Sequence, residues 1–389
     1  MKILIAPDKF KGSLSAREVA ENIAKGLCDV LPEATINIVP MADGGEGTAE
    51  VICDALGGSW LKCKAHDPLG GEMEARYAYI DKQKLAIMEM SEAAGMRRLS
   101  ANELDPLRAN TLGVGEMILD AARRGAGEII IGLGGSATND GGFGMARAFG
   151  FRFFSADKEL TGTVSELQKL TRIKRPKEIV GALVSSAQLE DMRLAQAPLQ
   201  LGLPKITSAV DVRNQLLGEN GATRVFGPQK GATSEEIDML ERALTKFADV
   251  VSKDLGVDYR DEAGAGAAGG LGFGLMSFCS AVIRPGFDVI AESVGLESRM
   301  KDVDVVITGE GSLDRQTLEG KTPAGVAHLA RKFGKRIFAI VGRASEDRQV
   351  RELFDEVYVT TQPGMSEKES IARAAALLRE RAHELAGSL

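Results

Sequence analysis

Lys2-Ile3-Leu4-Ile5-Ala6-Pro7-Asp8 opens the chain with a short apolar run that ends on a proline and a carboxylate. An apolar run of this length, stopped by turn residues, reads as a buried strand. Ser15 follows, with Glu18 three residues on in the pattern of a capping box. Val19, Ile23 and Leu27 then recur at helical spacing, so a helix is expected to about Leu31. Residues 36–40 repeat the strand and residues 48–56 the helix. This β-α-β-α order builds a parallel sheet covered by helices.

Working outward, the rhythm changes near residue 65. Residues 76–80 and 84–90 flank Asp81-Lys82-Gln83 and read as a hairpin, which belongs in an antiparallel or mixed sheet. A helix over 111–124, a strand over 128–131 and a helix after Asn139 follow. Residues 156–204 have weak periodicity. A strand over 206–212, an amphipathic helix over 234–255 and a glycine-rich stretch over 263–274 complete the middle. The opening rhythm then returns, with strands at 303–308, 336–341 and 356–360 and helices at 323–333 and 366–385. The economical division is an α/β fold in which residues 1–65 and 287–389 form one discontinuous parallel-sheet domain. Residues 66–286 form a second, mixed α/β domain inserted into it.

Composition narrows the function classes. At 389 residues, 44% hydrophobic and 26% charged, the chain is an ordinary globular one, which excludes disorder and collagen-like repeats. Glycine is the outlier: 45 residues, clustered, suggest backbone that approaches a ligand closely. A net charge of −7, from 48 basic and 55 acidic residues without long single-sign runs, gives no support to nucleic-acid or anionic-membrane binding. Cys28, Cys53, Cys63 and Cys279 have neither Cys-x-x-Cys spacing nor the density of a disulfide scaffold, as in a reducing compartment. No apolar stretch reaches 18 residues, and the chain enters a strand at Lys2 without a signal-peptide layout, so a cytoplasmic protein is expected.

An acidic, glycine-rich loop recurs at the carboxyl end of an apolar strand. It occurs at Asp8, at Asp43-Gly44-Gly45-Glu46-Gly47 and at Gly309-Glu310-Gly311-Ser312-Leu313-Asp314. Ligands of open parallel sheets bind outside the strand carboxyl ends, so the three loops are expected to face one pocket. Carboxylates grouped this way suit a hard divalent cation such as magnesium, or a base that removes a hydroxyl proton. His66, His328 and His383 lie outside these loops, which leaves a carboxylate as the proton acceptor.

Phosphate-binding segments come next. Gly320-Lys321-Thr322 resembles the end of a Walker A loop, but Arg315 stands where the pattern requires glycine. The local physics survives: Thr322 can cap, and Pro323 can occupy the first turn of, a helix whose free N–H groups attract an anion beside Lys321. A plain helix cap is the alternative. Gly132-Leu133-Gly134-Gly135-Ser136-Ala137 follows a strand and formally matches a dinucleotide fingerprint, but Thr138-Asn139-Asp140-Gly141-Gly142 delays the helix. The segment reads as a phosphate or substrate cradle. Gly264-Ala265-Gly266-Ala267-Ala268-Gly269-Gly270 also fits Gly-x-Gly-x-x-Gly, and tight helix packing explains it as well as a nucleotide does. Lys11, Lys230 and Arg284 sit beside turn residues and suit phosphate or carboxylate groups.

These segments resemble the glycerate kinase type 1 family over nearly the whole chain. The resemblance rests on residues 6–15, residues 41–48, residues 132–142, Gly221-Ala222-Thr223-Arg224-Val225-Phe226-Gly227-Pro228-Gln229-Lys230-Gly231-Ala232, residues 264–274, and residues 308–314 with Gly320-Lys321-Thr322-Pro323. The chain departs from the family's pattern at Lys9, Val210 and Gln215, and nothing is carried over for residues 173–204. The resemblance implies a flavodoxin-like domain beside a second, mixed one, and transfer of the γ-phosphoryl of ATP to D-glycerate with Mg2+, usually giving 2-phosphoglycerate.

In-line phosphoryl transfer is then the expected chemistry. Asp43 or Asp8 is expected as base, with Lys11 and Asp211 in the catalytic set and Glu310 and Asp314 on the metal. Asp211 is also weighed as a metal-side carboxylate. Ser13, Glu46, Asn139, Asp140, Lys230 and Arg284 are expected at the substrate. Gly134, Gly135, Ser136, Gly266, Gly269, Gly270, Lys321 and Thr322 are expected at the nucleotide. Self-association as a homodimer stays open. Two rivals remain: a non-catalytic glycerate or nucleotide sensor, for which no DNA-binding output motif is evident, and an NAD-dependent hydroxy-acid dehydrogenase resting on the dinucleotide matches.

Overall fold

The computed structural model describes residues 1–176 and 202–389, which divide into two compact units, Met1–Gly57 with Pro285–Leu389, and Gly58–Arg284. Among the described residues no helix is long and apolar enough to cross a membrane.

The first unit is built on five strands, ordered Glu356–Val359, Arg336–Val341, Val305–Thr308, Lys2–Ile5 and Thr35–Ile38, all parallel. Parallel strands need helices on their faces, and the near-continuous apolar runs at Ile3-Leu4-Ile5 and Val305-Val306-Ile307 are buried accordingly. The register sets Ile5 beside Ile307 and Ile38, so the exits of the central strands lie level with one another. Helix Ala16–Cys28 begins at the Ser15 capping box, with the Glu18 side chain accepting from the Ser15 N–H at 2.8 Å. Val19, Ile23 and Leu27 on its inner face join Leu378 and Leu385 of helix Glu367–Ala386 in one core with Ile3, Ile5, Val305 and Ile340. Each such side chain contributes roughly 1.5–3 kcal/mol of burial free energy. Gly26 permits the close crossing of these helices, since a Cβ there would lie 2.3 Å from the Arg379 carbonyl oxygen.

The second unit carries a six-stranded sheet ordered Val282–Pro285, Lys205–Val210, Glu128–Gly132, Leu85–Glu89, Glu72–Ile80 and Ser59–His66. Leu85–Glu89 and Lys205–Val210 run parallel to Glu128–Gly132, whereas Glu72–Ile80 is antiparallel to both of its neighbours. The hairpin expected around Asp81-Lys82-Gln83 is present and turns through a 3-10 helix at those residues. Ser59–His66 is a strand that periodicity missed. It pairs from Ser59↔Tyr79 to His66↔Glu72, which moves the boundary expected at residue 65 back to Gly57. The core includes edge-to-face phenylalanines, Phe143 to Phe153 at 4.8 Å and Phe153 to Phe278 at 6.2 Å, beside helix Ser234–Leu255. The weakly periodic stretch from residue 156 forms strands Lys158–Leu160 and Arg172–Lys174 around Arg152–Ser155. Its continuation over 177–201 lies outside the described residues.

Candidate active site

Asp8 stands just past the carboxyl end of the Lys2–Ile5 strand, beyond Pro7. Its backbone N–H donates to the Gly309 carbonyl at 2.8 Å, which ties this strand exit to the loop that carries Glu310. The side chain is 7% exposed. Its Oδ2 accepts from Thr322 Oγ1 at 2.8 Å and its Oδ1 from the Lys9 N–H at 2.6 Å. Burial, then the Asp43 carboxylate, push the Asp8 carboxyl up to about 7 against the opposing pull of Thr322 and Lys9.

Glu310 repeats the arrangement on the neighbouring strand exit. It is buried, and its Oε1 accepts from Thr317 Oγ1 at 2.9 Å. Burial raises its carboxyl to about 7, with Asp8 and Asp314 adding to the rise and Thr317 and Lys321 opposing it. The loop is pinned by Gly342 N–H donating to the Glu310 carbonyl at 3.1 Å and by the short parallel pair Ser312–Leu313 with Arg343–Ala344. Gly309 is required at its start, because a Cβ there would lie 2.2 Å from the Ile340 carbonyl oxygen. Asp8, Asp43 and Glu310, expected from three separate loops, are therefore within electrostatic reach in one unit.

Asp43 is half-buried, and its Oδ1 accepts from the Gly45 N–H at 3.0 Å. A cavity of about 180 Å3 opens beside Asp8, walled by Lys9, Met41, Glu46, Gly47 and Glu50 among others; Asp43 and Glu310 do not line it. The Lys9 ammonium donates to the Glu46 carbonyl across this wall. Lys11 is exposed, while the Ser13 hydroxyl, expected at the substrate, donates to the Ile371 carbonyl at 3.2 Å and so holds the closing helix.

Two readings of the Gly320-Lys321-Thr322 segment change. Lys321, not Thr322, is the N-cap of helix Thr322–Lys332, and the hydroxyl expected to cap goes to Asp8 instead. Asp314 caps the 3-10 helix Arg315–Glu319 by accepting from the Gln316 N–H at 2.9 Å. Among the described residues no group of three or more His, Cys, Asp or Glu is arranged to hold a metal ion. The Thr317 partner of Glu310 was missed, although Asp314 with a threonine three residues on is a legible capping box.

In the second unit, strand Glu128–Gly132 exits into Gly134, half-buried, and Gly135, exposed with φ 67°. The helix begins only at Phe143, as the polar continuation led one to expect. Ser136 is buried and bridges to Gly95. Asn139 is buried, its Nδ2 donating to Thr223 Oγ1 at 2.9 Å while its Oδ1, like the Thr138 hydroxyl, has no partner among the described residues. Asp211 is exposed just past strand Lys205–Val210, and Arg284 is half-buried on Val282–Pro285.

Asp140 and Lys230, expected at a substrate, are wholly buried. Asp140 accepts from the Thr111 N–H and hydroxyl at 2.9 and 2.8 Å, from the Gly144 N–H at 2.9 Å and from the Gly142 N–H at 3.1 Å. Burial pushes its carboxyl upward while these four donors favour the carboxylate, and they tie it to the backbone of its own loop and of Thr111. Lys230 Nζ donates to the Thr138 carbonyl at 2.7 Å, and burial lowers the amine to about 7 despite Asp140 nearby. It holds the same loop from below.

Gly266, Gly269 and Gly270, expected at a nucleotide, lie where neighbouring backbone and side chains pack closely. A Cβ would lie 2.2 Å from the Gln215 carbonyl oxygen at Gly266, 1.9 Å from that of Thr138 at Gly269 and 2.7 Å from Leu216 Cδ1 at Gly270. Residues 268–270 turn through left-handed conformations inside the helix Ala267–Cys279, which glycine adopts at 269 and 270 without the cost that Ala268 bears.

The glycerate kinase family profile matches residues 3–389. A glycerate kinase of Halalkalibacterium halodurans is 39% identical over 387 residues, covering 99% of this chain and 97% of that protein. Glycerate 2-kinase of Escherichia coli is 41% identical over 348 residues, covering 89% of this chain and 86% of its own. A solved Salmonella typhimurium chain named for glycerate kinase 2 superposes with a TM-score of 0.83 at 38% identity, covering 100% of this chain and 98% of that one. With matches of this extent over the whole chain, the protein belongs to the glycerate kinase family.

Proposed function

We propose that this protein transfers the γ-phosphoryl group of ATP to D-glycerate, giving 2-phosphoglycerate, with Mg2+ accompanying the nucleotide and Asp8 as the base. The observation that carries the reading is the Asp8 carboxyl, pushed to about 7 beside a cavity and held in one orientation by Thr322. A base of that strength is about half ionised at neutral pH and basic enough to take a hydroxyl proton as the oxygen attacks. Asp43 supports it by raising its proton affinity.

The residues present fit the two absent groups. Glu310 and Asp314 offer hard carboxylate oxygens, and Mg2+, which keeps several waters and binds substrate phosphates, needs only one or two from the protein. Lys321 at the N-cap of helix Thr322–Lys332 suits phosphate oxygens. When bound, Mg2+–ATP supplies the phosphoryl group and neutralises its charge. The chain's own residues orient the glycerate hydroxyl at Asp8 and place cationic and N–H groups against the phosphates. Strand order in the first unit, with two crossovers on one side of the Lys2–Ile5 strand and one on the other, supports a flavodoxin-like reading with the second unit as the insert. The free thiols of Cys28, Cys53, Cys63 and Cys279 agree with a cytoplasmic location.

Incubation with Mg2+, ATP and D-glycerate should release ADP, and phosphorus NMR should place the new phosphate on the 2-hydroxyl. A 3-phosphate product would overturn the position, and hydride transfer to NAD, or binding without turnover, would overturn the reaction.

A further inference from the structure

A cavity of about 320 Å3 in the second unit is lined by Lys62, Glu74, Ala75, Arg76, Glu92, Arg97 and Arg98. Four cationic groups and two carboxylates around one cavity are a local arrangement, since the whole chain carries a net charge of −7. Glu92 organises part of it: Arg97 Nη2 and Arg98 Nη2 reach its two carboxylate oxygens at 2.7 and 2.5 Å. Each guanidinium is also fixed through Nε, Arg97 donating to the Ser91 carbonyl at 3.0 Å and Arg98 to that of Glu92 at 2.6 Å. Glu89 lies 3.8 Å from Arg97, and counting it as a third carboxylate still leaves one cation in surplus.

Lys62 is paired in turn with Glu74 at 2.6 Å, so the cation in surplus is Arg76. Arg76 approaches Glu92 no closer than 3.6 Å and its side chain is 56% exposed. Lys62 and Arg76 are direct cross-strand partners, a like-charge pairing that costs sheet stability. Arg76 is held in that place by stacking on Trp60, its guanidinium carbon 4.4 Å from the ring centroid, and this gives a use to an otherwise exposed tryptophan. A surplus guanidinium held by an aromatic ring, lining the same cavity as two guanidinium groups already fixed in place, suits recognition of an oxyanion.

We infer that the cavity bounded by Lys62, Arg76, Arg97 and Arg98 is an anion site that takes a small carboxylate- or phosphate-bearing ligand. It does not rest on the kinase reading, because none of its lining residues belongs to the Asp8 and Glu310 cluster.

The test is calorimetric titration of the full chain, at fixed ionic strength, with inorganic phosphate in one arm and malonate in the other. At least one anion should bind saturably, and which one binds identifies the phosphate or the carboxylate class. Arg76→Gln should weaken that binding about tenfold and Arg76→Glu should abolish it, whereas Asp8→Asn should leave it unchanged. Circular dichroism would confirm that each variant keeps the native fold. Absence of saturable binding in both arms, or binding indifferent to Arg76, overturns the site.

Discussion

Thr322 Oγ1 donates to Asp8 Oδ2 at 2.8 Å across 314 positions of sequence, joining the first residue of a late helix to the exit of the first strand. A hydroxyl that donates to a carboxylate stabilises its ionised form, so Thr322 holds the Asp8 carboxyl below the value that burial and Asp43 would impose. Thr322→Val, close to isosteric, should therefore raise the Asp8 value further. The acid limb of kcat/KM, which rises as the base loses its proton, should move to higher pH, and a pH–rate profile would read the shift directly.

Asp8→Asn removes the base and should lower kcat by about two to four orders of magnitude with the fold intact. The same change should stabilise the protein at alkaline pH. The folded-state value of Asp8 is about 7, above the roughly 3.9 of an unfolded aspartate. Its contribution is thus complete below about pH 4 and lost as pH rises through 7. At pH 8 the variant should gain on the order of 2 kcal/mol over the parent in urea unfolding, and at pH 4 much less. Near-normal turnover would remove Asp8 from the chemistry.

Glu310→Gln should raise the Mg2+ concentration needed for half-maximal activity by about tenfold or more, since a carboxamide is a poorer ligand for a hard cation. Titration of activity with Mg2+ at saturating ATP and glycerate would show it. An unchanged Mg2+ requirement would take Glu310 off the metal.

Gly269→Ala tests packing against nucleotide contact. The added Cβ would lie 1.9 Å from the Thr138 carbonyl oxygen, at a φ of +68°. The expected result is a loss of about 3 kcal/mol or more in unfolding free energy. A variant with native stability and weakened ATP binding would place Gly269 at the nucleotide instead.

Lys230→Met should change how stability depends on pH. The buried amine is held near 7, below the roughly 10.4 of an unfolded lysine. Between these values the unfolded chain binds more protons, so this group makes stability rise with pH across that window. The variant should lose that rise, measured by urea unfolding at pH 7 and pH 10.

Much of the architecture was legible because periodicity reports which face of an element is buried. Helix Ser234–Leu255 and strand Arg336–Val341 have the bounds their patterns predicted, and the Ser15 capping box is in place. Strand Ser59–His66 was not legible: it is an edge strand whose first four residues, Ser59 to Lys62, are exposed or half-buried on both faces, so its pattern lacks a continuous apolar run. The candidate carboxylates were found by one local signal, glycine and acid after an apolar strand. The same signal could not separate Gly269, which lets one backbone pass another, from a glycine that faces a phosphate.

The order of residues alone therefore determined the alternation of strand and helix, the acidic strand exits and the family. Tertiary structure decided what surrounds each group: that Asp43 raises the proton affinity of buried Asp8 and Asp8 that of buried Glu310, that Thr322 turns its hydroxyl to Asp8, and that Asp140 and Lys230 are buried against one loop. The reason is that proton affinity and hydrogen bonding depend on the dielectric and on neighbours within a few ångströms. For these residues the neighbours come from segments far apart in the chain.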